Sequence, residues 1–272
     1  MSKLKQALEK AKRDRGEIAG ADKRVIEPEK PLPAPADESH TDRHTPLKPV
    51  YTSTKVATCD PDVLRRNRII SVCTKDEADR IKILRTQILN RMSEEGKNTL
   101  MVTSAGPGEG KTLTAINLSI SFSHQFNKTV LLVDTDIKKP TIHKYFGLED
   151  GPGLADCLAA KISIVDGLVN PGMERIVIFR GGTPRTNSAE LLGSGKMIAL
   201  LKEMKERYPE RFIIFDSSPV LTSADPLVLA NLVDGILLVV EAEKTRKEDV
   251  LKVMEILQGK PIIGTVFNKA ID

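Results

Sequence analysis

The stretch Ser104-Ala105-Gly106-Pro107-Gly108-Glu109-Gly110-Lys111-Thr112 constrains this chain more than any other. It follows an apolar run, Thr99-Leu100-Met101-Val102-Thr103, and opens into Leu113-Thr114-Ala115-Ile116-Asn117-Leu118. Strand, glycine-rich turn and helix in that order form the context a phosphate-binding loop requires. The glycines let the backbone turn tightly and approach a phosphate chain. Successive backbone N–H groups and the positive end of the helix then face the anion. In such a loop Lys111 reaches the β- and γ-phosphates and the Thr112 hydroxyl ligates Mg²⁺, so residues Ala105 to Leu113 are the expected nucleotide cradle. Ala105 stands where the pattern has its first Gly. An ordinary glycine-rich βα turn would share the glycines but has no use for the Lys-Thr pair. The expectation is a nucleoside triphosphate site.

The bulk composition suits that reading. The chain has 272 residues, 40% of them hydrophobic but only 4% aromatic and none Trp, which points to an Ile/Leu/Val core of the kind a buried parallel sheet needs. With 41 basic against 37 acidic residues the net charge is only +4, so nucleic-acid binding is not implied. Cys59, Cys73 and Cys157 are scattered without metal-site spacing and read as reduced thiols. Apolar runs such as Ile236–Val240 are too short to cross a bilayer, and Met1-Ser2-Lys3-Leu4-Lys5 does not lead into a secretion signal. A cytoplasmic chain is expected.

Three organisational units follow from the sequence. Residues 1–20 contain a basic segment with Leu4, Ala7, Leu8 and Ala11 at helical spacing, able to lie on an anionic membrane or a partner, or to stay solvated. Such a segment offers peripheral contact with the inner face of the plasma membrane. Residues 21–55 form a proline-rich, charged, disordered linker in which His40 and His44 are solvated. Residues 56–272 form the folded domain. Within it, Asp60-Pro61 reads as a turn, Asn67–Val72 as a short strand, and Lys75–Met92 as an amphipathic helix with Ala78, Ile81, Leu84, Ile88 and Leu89 on one stripe. Apolar runs at Thr129–Asp134, Arg211–Asp216, Gly235–Val240 and Pro261–Phe267 alternate with helical patterns at about 188–207, 225–232 and 245–258. The predicted fold is α/β: a P-loop NTPase-type, mostly parallel sheet sandwiched by helices, behind a disordered N-terminal extension.

Two of those runs end in carboxylates. Asp134-Thr135-Asp136 closes one and Asp216-Ser217-Ser218-Pro219 the other, at the strand edge where open α/β sheets bind ligands. Mg²⁺ takes about six oxygen ligands, several of them from phosphates and water. Thr112 supplies one, and Asp216 has the form of a second acidic motif that holds the metal. The Asp134/Asp136 pair offers more acid than the metal requires, so one carboxylate can serve the metal while the other accepts a proton from an incoming hydroxyl. Residues two apart on a strand point the same way, so both can face one cavity. A helix N-cap is the alternative role for each acid taken alone.

The run Val130-Leu131-Leu132-Val133-Asp134-Thr135-Asp136-Ile137-Lys138-Lys139-Pro140 closely resembles the second Walker-type motif of the bacterial tyrosine kinases that regulate capsule and exopolysaccharide export. Further matches are Ile83–Ile88, Gly153–Leu158, Asn187–Leu192 and Phe215–Val220, covering about residues 75–270. The long N-terminal tail is similar to that of the stand-alone kinases of this family, which accompany a separate membrane polysaccharide co-polymerase. The resemblance implies ATP and Mg²⁺ as cofactors. It implies that Lys111 and Thr112 bind phosphate and metal, that Asp134 is the base that activates a tyrosine hydroxyl, and that Asp136 and Asp216 hold the metal. A Glu-x-x-Arg-x-x-Arg helix mediates ring assembly in the family; Asp79, Lys82 and Arg85 occupy those positions here and imply a homo-oligomer. Lys138 stands where the family has Arg. Asn268 follows the last apolar strand, where related ATPases place an adenine-contacting side chain; a strand-end cap explains it equally well.

The C-terminus departs from the family. It lacks the cluster of autophosphorylated tyrosines and ends at Phe267-Asn268-Lys269-Ala270-Ile271-Asp272. The chain's three tyrosines are Tyr51, Tyr145 and Tyr208. Tyr145 and Tyr208 read as structural, and Tyr51, beside the linker, as the autophosphorylation site. The leading function is therefore ATP-dependent transfer of the γ-phosphoryl group to tyrosine. The alternatives are a MinD-type ATPase switch, against which counts the absence of an early Lys in Ser104-Ala105-Gly106-Pro107, and a non-catalytic ATP-sensing subunit.

Overall fold

In the computed structural model the described residues are 54–70, 75–92, 96–125, 128–159, 162–206 and 210–270. The expected basic segment (1–20), residues 21–53 of the expected linker, Cys73, Tyr51 and Tyr208 lie outside them, while Lys55, expected as the end of the linker, is in a strand paired with Val169. Among the described residues eight strands form one sheet: β1 (Lys55–Val56), β2 (Thr99–Ser104), β3 (Thr129–Asp134), β4 (Leu168–Asn170), β5 (Ile176–Phe179), β6 (Arg211–Asp216), β7 (Gly235–Glu241) and β8 (Ile262–Asn268). Their spatial order is β1-β4-β5-β3-β6-β2-β7-β8. Every pairing is parallel except β4 with β5. The phosphate-loop strand β2 is thus central, between β6 and β7, and β6 separates it from β3.

The central strands are buried on both faces, which is why they read as continuous apolar runs rather than alternating ones. Met101, Leu131, Val133, Ile213, Phe215, Ile236 and Leu238 point into one apolar layer. Their neighbours Leu100, Val102, Val130, Leu132, Phe212, Ile214, Leu237 and Val239 point into the other. The first layer is covered by α5 (Leu154–Leu158), α7 (Ser188–Leu192), α8 (Gly195–Glu206), α9 (Asp225–Leu229) and α10 (Lys247–Ile256) through Leu154, Leu192, Met197, Leu201, Leu229 and Val253. The second is covered by α1 (Pro61–Arg66), α2 (Lys75–Arg91), α3 (Lys111–Ser123) and α4 (Ile142–Tyr145) through Leu64, Ile88, Ile116, Ile120, Phe122 and Ile142. A single turn, α6 (Ile164–Gly167), leads into β4. The fully buried Phe122 ring stacks on Phe212, with centroids 4.3 Å apart, and fixes α3 against β6.

The α/β sandwich matches the expectation, with local differences. Asp60-Pro61 is not a free turn: Asp60 caps α1 by accepting the Asp62 N–H at 2.8 Å, and Pro61 fills the first helical position. Residues 67–70 do not form a strand. Arg68 has φ 55°, and the buried Asn117 side chain of α3 takes up the Arg68 carbonyl at 3.1 Å and the Ile70 N–H at 3.0 Å. Those backbone groups are spent on a helix side chain and cannot enter a ladder. The pattern at 188–207 divides into α7 and α8 at Gly193-Ser194.

Because Phe122 is wholly enclosed and stacked, Phe122→Ala should cost about 3–5 kcal/mol. Urea unfolding checks this as a lower midpoint, compared with a change of under ~0.5 kcal/mol for substituting the exposed Lys202.

Candidate active site

The site is built by the carboxyl ends of β2, β3 and β6. In-register pairing sets Asp134 beside Asp216 and Val102 beside Asp216. The phosphate loop leaves β2 at this edge. Gly110 closes it with φ 97°, a left-handed conformation that L side chains rarely adopt, and no side chain caps α3. The first-turn N–H groups of a 13-residue helix are therefore left for an anion. The loop is also held from behind. The Asn268 amide donates to the Glu109 carbonyl at 2.9 Å, and Lys269 Nζ to the Gly108 carbonyl at 2.8 Å. A Cβ on Gly110 would run into the Asn268 amide.

Lys111, whose side chain is 13% exposed, turns its ammonium to the acids: 3.5 Å from Asp136 Oδ2, 3.7 Å from Asp216 Oδ1 and 3.1 Å from Thr112 Oγ1. Burial disfavours its charge, but Asp216, Asp136 and Asp134 together outweigh burial and raise its pKa. Asp134 is fully buried. Its Oδ2 accepts the Thr141 and Ile142 N–H groups at 2.8 and 3.0 Å, and its Oδ1 accepts the Asp136 N–H at 3.2 Å. Burial and the neighbouring Asp216 charge push Asp134 up to about 7, against the pull of those N–H bonds. Asp216 is also fully buried; its oxygens make no hydrogen bond at ordinary distance, and the Lys111 ammonium and the Thr112 hydroxyl act on it. Burial raises its pKa, with Lys111 opposing.

The sequence-predicted residues Lys111, Thr112, Asp134, Asp136 and Asp216 thus come together, and Ala105 to Leu113 form the loop and the start of its helix. Asp134 and Asp136 converge for a different reason than strand alternation. β3 ends at Asp134, and the Asp136 N–H folding back onto the Asp134 carboxylate brings the second acid round. Asn268 lies behind the loop, with its amide on the Glu109 carbonyl. Of the expected assembly residues, Asp79 and Lys82 pair with each other on α2 at 2.7 Å, and Arg85 donates to the Ser121 carbonyl at 2.6 Å.

Two further contributors stand out in the sequence without a role: Gly181, in the Arg180-Gly181-Gly182-Thr183-Pro184 stretch after Ile176–Phe179, expected as a loop near the same rim, and Lys138. Gly181, after β5, packs so closely that a Cβ there would meet Pro140 and lie 3.3 Å from the Asp134 carboxyl carbon. Lys138 reaches across to Ser223 Oγ at 3.0 Å and to the buried Asp225 at 3.9 Å, itself held by Ser188. The Gly181-Gly182 pair was the available signal for the first; the second depends on tertiary contacts. Tyr145 lies half-buried on α4, its phenol raised by burial and by the Asp216 charge.

The donor set fits a hard cation bound together with a nucleotide. It comprises one hydroxyl and carboxylates, with the two buried oxygens of Asp216 making no hydrogen bond at ordinary distance and its Oδ1 facing the Lys111 ammonium at 3.7 Å. Among the described residues no group of three or more His, Cys, Asp or Glu side chains would hold a metal alone. Mg²⁺ is a hard cation that takes most of its ligands from phosphate and water.

Residues 100–270 match the CobQ/CobB/MinD/ParA nucleotide-binding domain, so the chain is a P-loop nucleotide-binding protein of that class. Within the class, it is 35% identical over 208 residues to tyrosine-protein kinase YwqD of Bacillus subtilis strain 168, covering 75% of this chain and 86% of that one. The VpsO kinase domain superposes with a TM-score of 0.65 at 31% identity, over 72% of this chain and 98% of that one. The kinase domain of Escherichia coli tyrosine kinase ETK does so with a TM-score of 0.65 at 27% identity, over 72% and 78%. The chain belongs to the bacterial tyrosine kinase family, which favours tyrosine phosphorylation over a MinD-type switch.

Asp216 has a higher pKa folded than unfolded, so its ionisation costs stability above the folded pKa and costs nothing below the unfolded value of about 3.9. Asp216→Asn should therefore raise the melting temperature of the nucleotide-free protein at pH 8 by ~2–4 °C, the equivalent of about 1 kcal/mol. Scanning calorimetry should find that gain shrinking as pH falls and gone by about pH 4.

Proposed function

We propose that this chain transfers the γ-phosphoryl group of ATP to a protein tyrosine, with Asp134 as the base. The carrying observation is the meeting of Lys111, Asp134, Asp136 and Asp216 at one sheet edge beside an uncapped helix start. Phosphoryl transfer asks a protein mainly for positioning and charge neutralisation, which this arrangement supplies. The loop N–H groups and Lys111 bind and orient the triphosphate. Thr112, Asp136 and Asp216 would hold Mg²⁺, which supplies charge neutralisation on the phosphates when bound. Asp134 accepts the tyrosine hydroxyl proton as the oxygen–phosphorus bond forms and the bond to the diphosphate leaving group breaks. A carboxylate raised to about 7 is matched to that work near neutral pH. The Thr141 and Ile142 N–H groups hold its Oδ2 fixed.

The physiological reading is regulation of exopolysaccharide or capsule polymerisation and export beside a membrane co-polymerase partner. Family membership supports it. No helix among the described residues is long and apolar enough to cross a membrane. The proposed location is cytoplasmic, with the basic N-terminal segment at the inner face of the plasma membrane. A homo-oligomer through Asp79, Lys82 and Arg85 would require the internal bonds of these side chains to be shared or exchanged.

Incubating the purified chain with labelled ATP should yield phosphotyrosine; free phosphate alone would favour a switch, and binding without turnover a sensor. Asp134→Asn should lower transfer at least ~100-fold while ATP binding stays within a few-fold, measured by titration. Persistent transfer would remove Asp134 as the base. Mass spectrometry of the wild type should find the phosphate mainly on Tyr51, and phosphate elsewhere with none at Tyr51 would reject that assignment.

A further inference from the structure

Glu109 is the acidic residue of the phosphate loop, and it is 7% exposed. A negative charge there opposes the loop's task, since it repels the triphosphate the backbone is shaped to receive. Its contacts give a reason for its presence. Glu109 Oε2 accepts the Ala105 N–H at 3.0 Å, and Oε1 accepts the Gly106 N–H at 3.1 Å. The hydroxyl of Thr245, in the loop between β7 and α10, donates to Oε1 at 2.8 Å. Thr245 is itself anchored: its Oγ1 accepts the Glu241 N–H at 3.1 Å, and its own N–H donates to the Glu241 carbonyl at 3.0 Å. On the other side of the loop, Lys269 Nζ bonds the Gly108 carbonyl and lies 3.1 Å from Glu241 Oε2. The ends of β7 and β8 and both halves of the phosphate loop therefore close into one circuit through the Glu109 side chain.

The chemistry of that circuit is specific. Both oxygens of Glu109 accept from backbone N–H groups. An amide in its place would set its NH₂ against one of those N–H groups whichever way it were turned, leaving either the buried Ala105 N–H or the half-buried Gly106 N–H without this acceptor. Ala105 and Gly106 are where the chain enters the loop, and Glu109 lies just before Gly110 and the uncapped start of α3. A bond between these points sets the loop's curvature, and with it the direction of the N–H groups at 108–112.

We propose that Glu109 is a positioning residue for nucleotide binding: its carboxylate ties the entry of the phosphate loop to the loop's second half and to Thr245. The proposal rests on the reading that the loop binds a nucleotide, and it opposes the simple electrostatic expectation. If charge alone mattered, Glu109→Gln would bind Mg-ADP more tightly. The brace predicts the reverse.

The test is isothermal titration of the full chain with Mg-ADP. Glu109→Gln should weaken binding about tenfold, equivalent to ~1.4 kcal/mol, and Thr245→Val about threefold. The double variant should be little weaker than Glu109→Gln, because both changes cut one circuit. In the kinase assay the loss should appear in KM for ATP more than in kcat. Equal or tighter binding by Glu109→Gln overturns the proposal. So does a smaller fraction of titratable sites with unchanged affinity, which is the signature of a lesion in the fold only. Should Glu109→Gln fail to fold, Thr245→Val decides alone: about threefold weaker supports the brace, and unchanged affinity overturns it. A wild type that does not bind Mg-ADP defeats the nucleotide reading and the brace with it. Normal wild-type binding with indifferent variants defeats the brace alone.

Discussion

One ammonium group stands among three carboxylates at the carboxyl edge of the sheet, and that imbalance of charge shapes the site. Lys111 contacts Asp136 and Asp216 directly and lies in the field of Asp134, while two of the three acids have no solvent exposure. Buried acids without sufficient counter-charge lean toward protonation, and both Asp134 and Asp216 do so. The chain bears this cost where a cation-bearing ligand would relieve it. A site that is uncomfortable by itself and compensated on binding is the usual thermodynamic form of a functional centre.

The fold creates the imbalance by topology. Parallel strands all deliver their carboxyl ends to one edge, and putting β6 between β2 and β3 brings the phosphate loop, the Asp134 turn and Asp216 into adjacent positions. Apolar layers on both faces leave these strands little freedom to shift register. Positions set by hydrophobic packing thus determine the spacing of charges that would not gather unaided. The phosphate loop is tied down in the same manner, from behind, by Asn268 and Lys269 at the end of β8.

Much of this was legible in the sequence. Five strands, β2, β3, β6, β7 and the edge strand β8, announce themselves as apolar runs, and the loop, its helix and the three acids are local patterns whose chemistry needs no partner to be read. Less accessible was whatever depends on distant residues. Asn117 makes the expected strand at 67–70 a turn by taking its backbone groups, and the two-residue β1 and antiparallel β4 are too short to carry a period. The pairing of Asp134 with Asp136 was foreseen on the wrong ground, since a backbone N–H and not strand alternation joins them. The Arg180–Pro184 stretch reads as a loop of no stated role, and only the packing of Pro140 and Asp134 against Gly181 shows why a side chain is excluded there.

The central claim is that Lys111 and the carboxylates at 134, 136 and 216 form one compartment for a metal-bound nucleotide. The most direct measurement is ADP affinity with excess Mg²⁺ and again with EDTA, on the same preparation. The account predicts that the metal tightens binding at least about tenfold, ~1.4 kcal/mol or more, since it neutralises acids that otherwise repel the diphosphate. An affinity indifferent to Mg²⁺ would mean that these side chains do not share a ligand, and would contradict it.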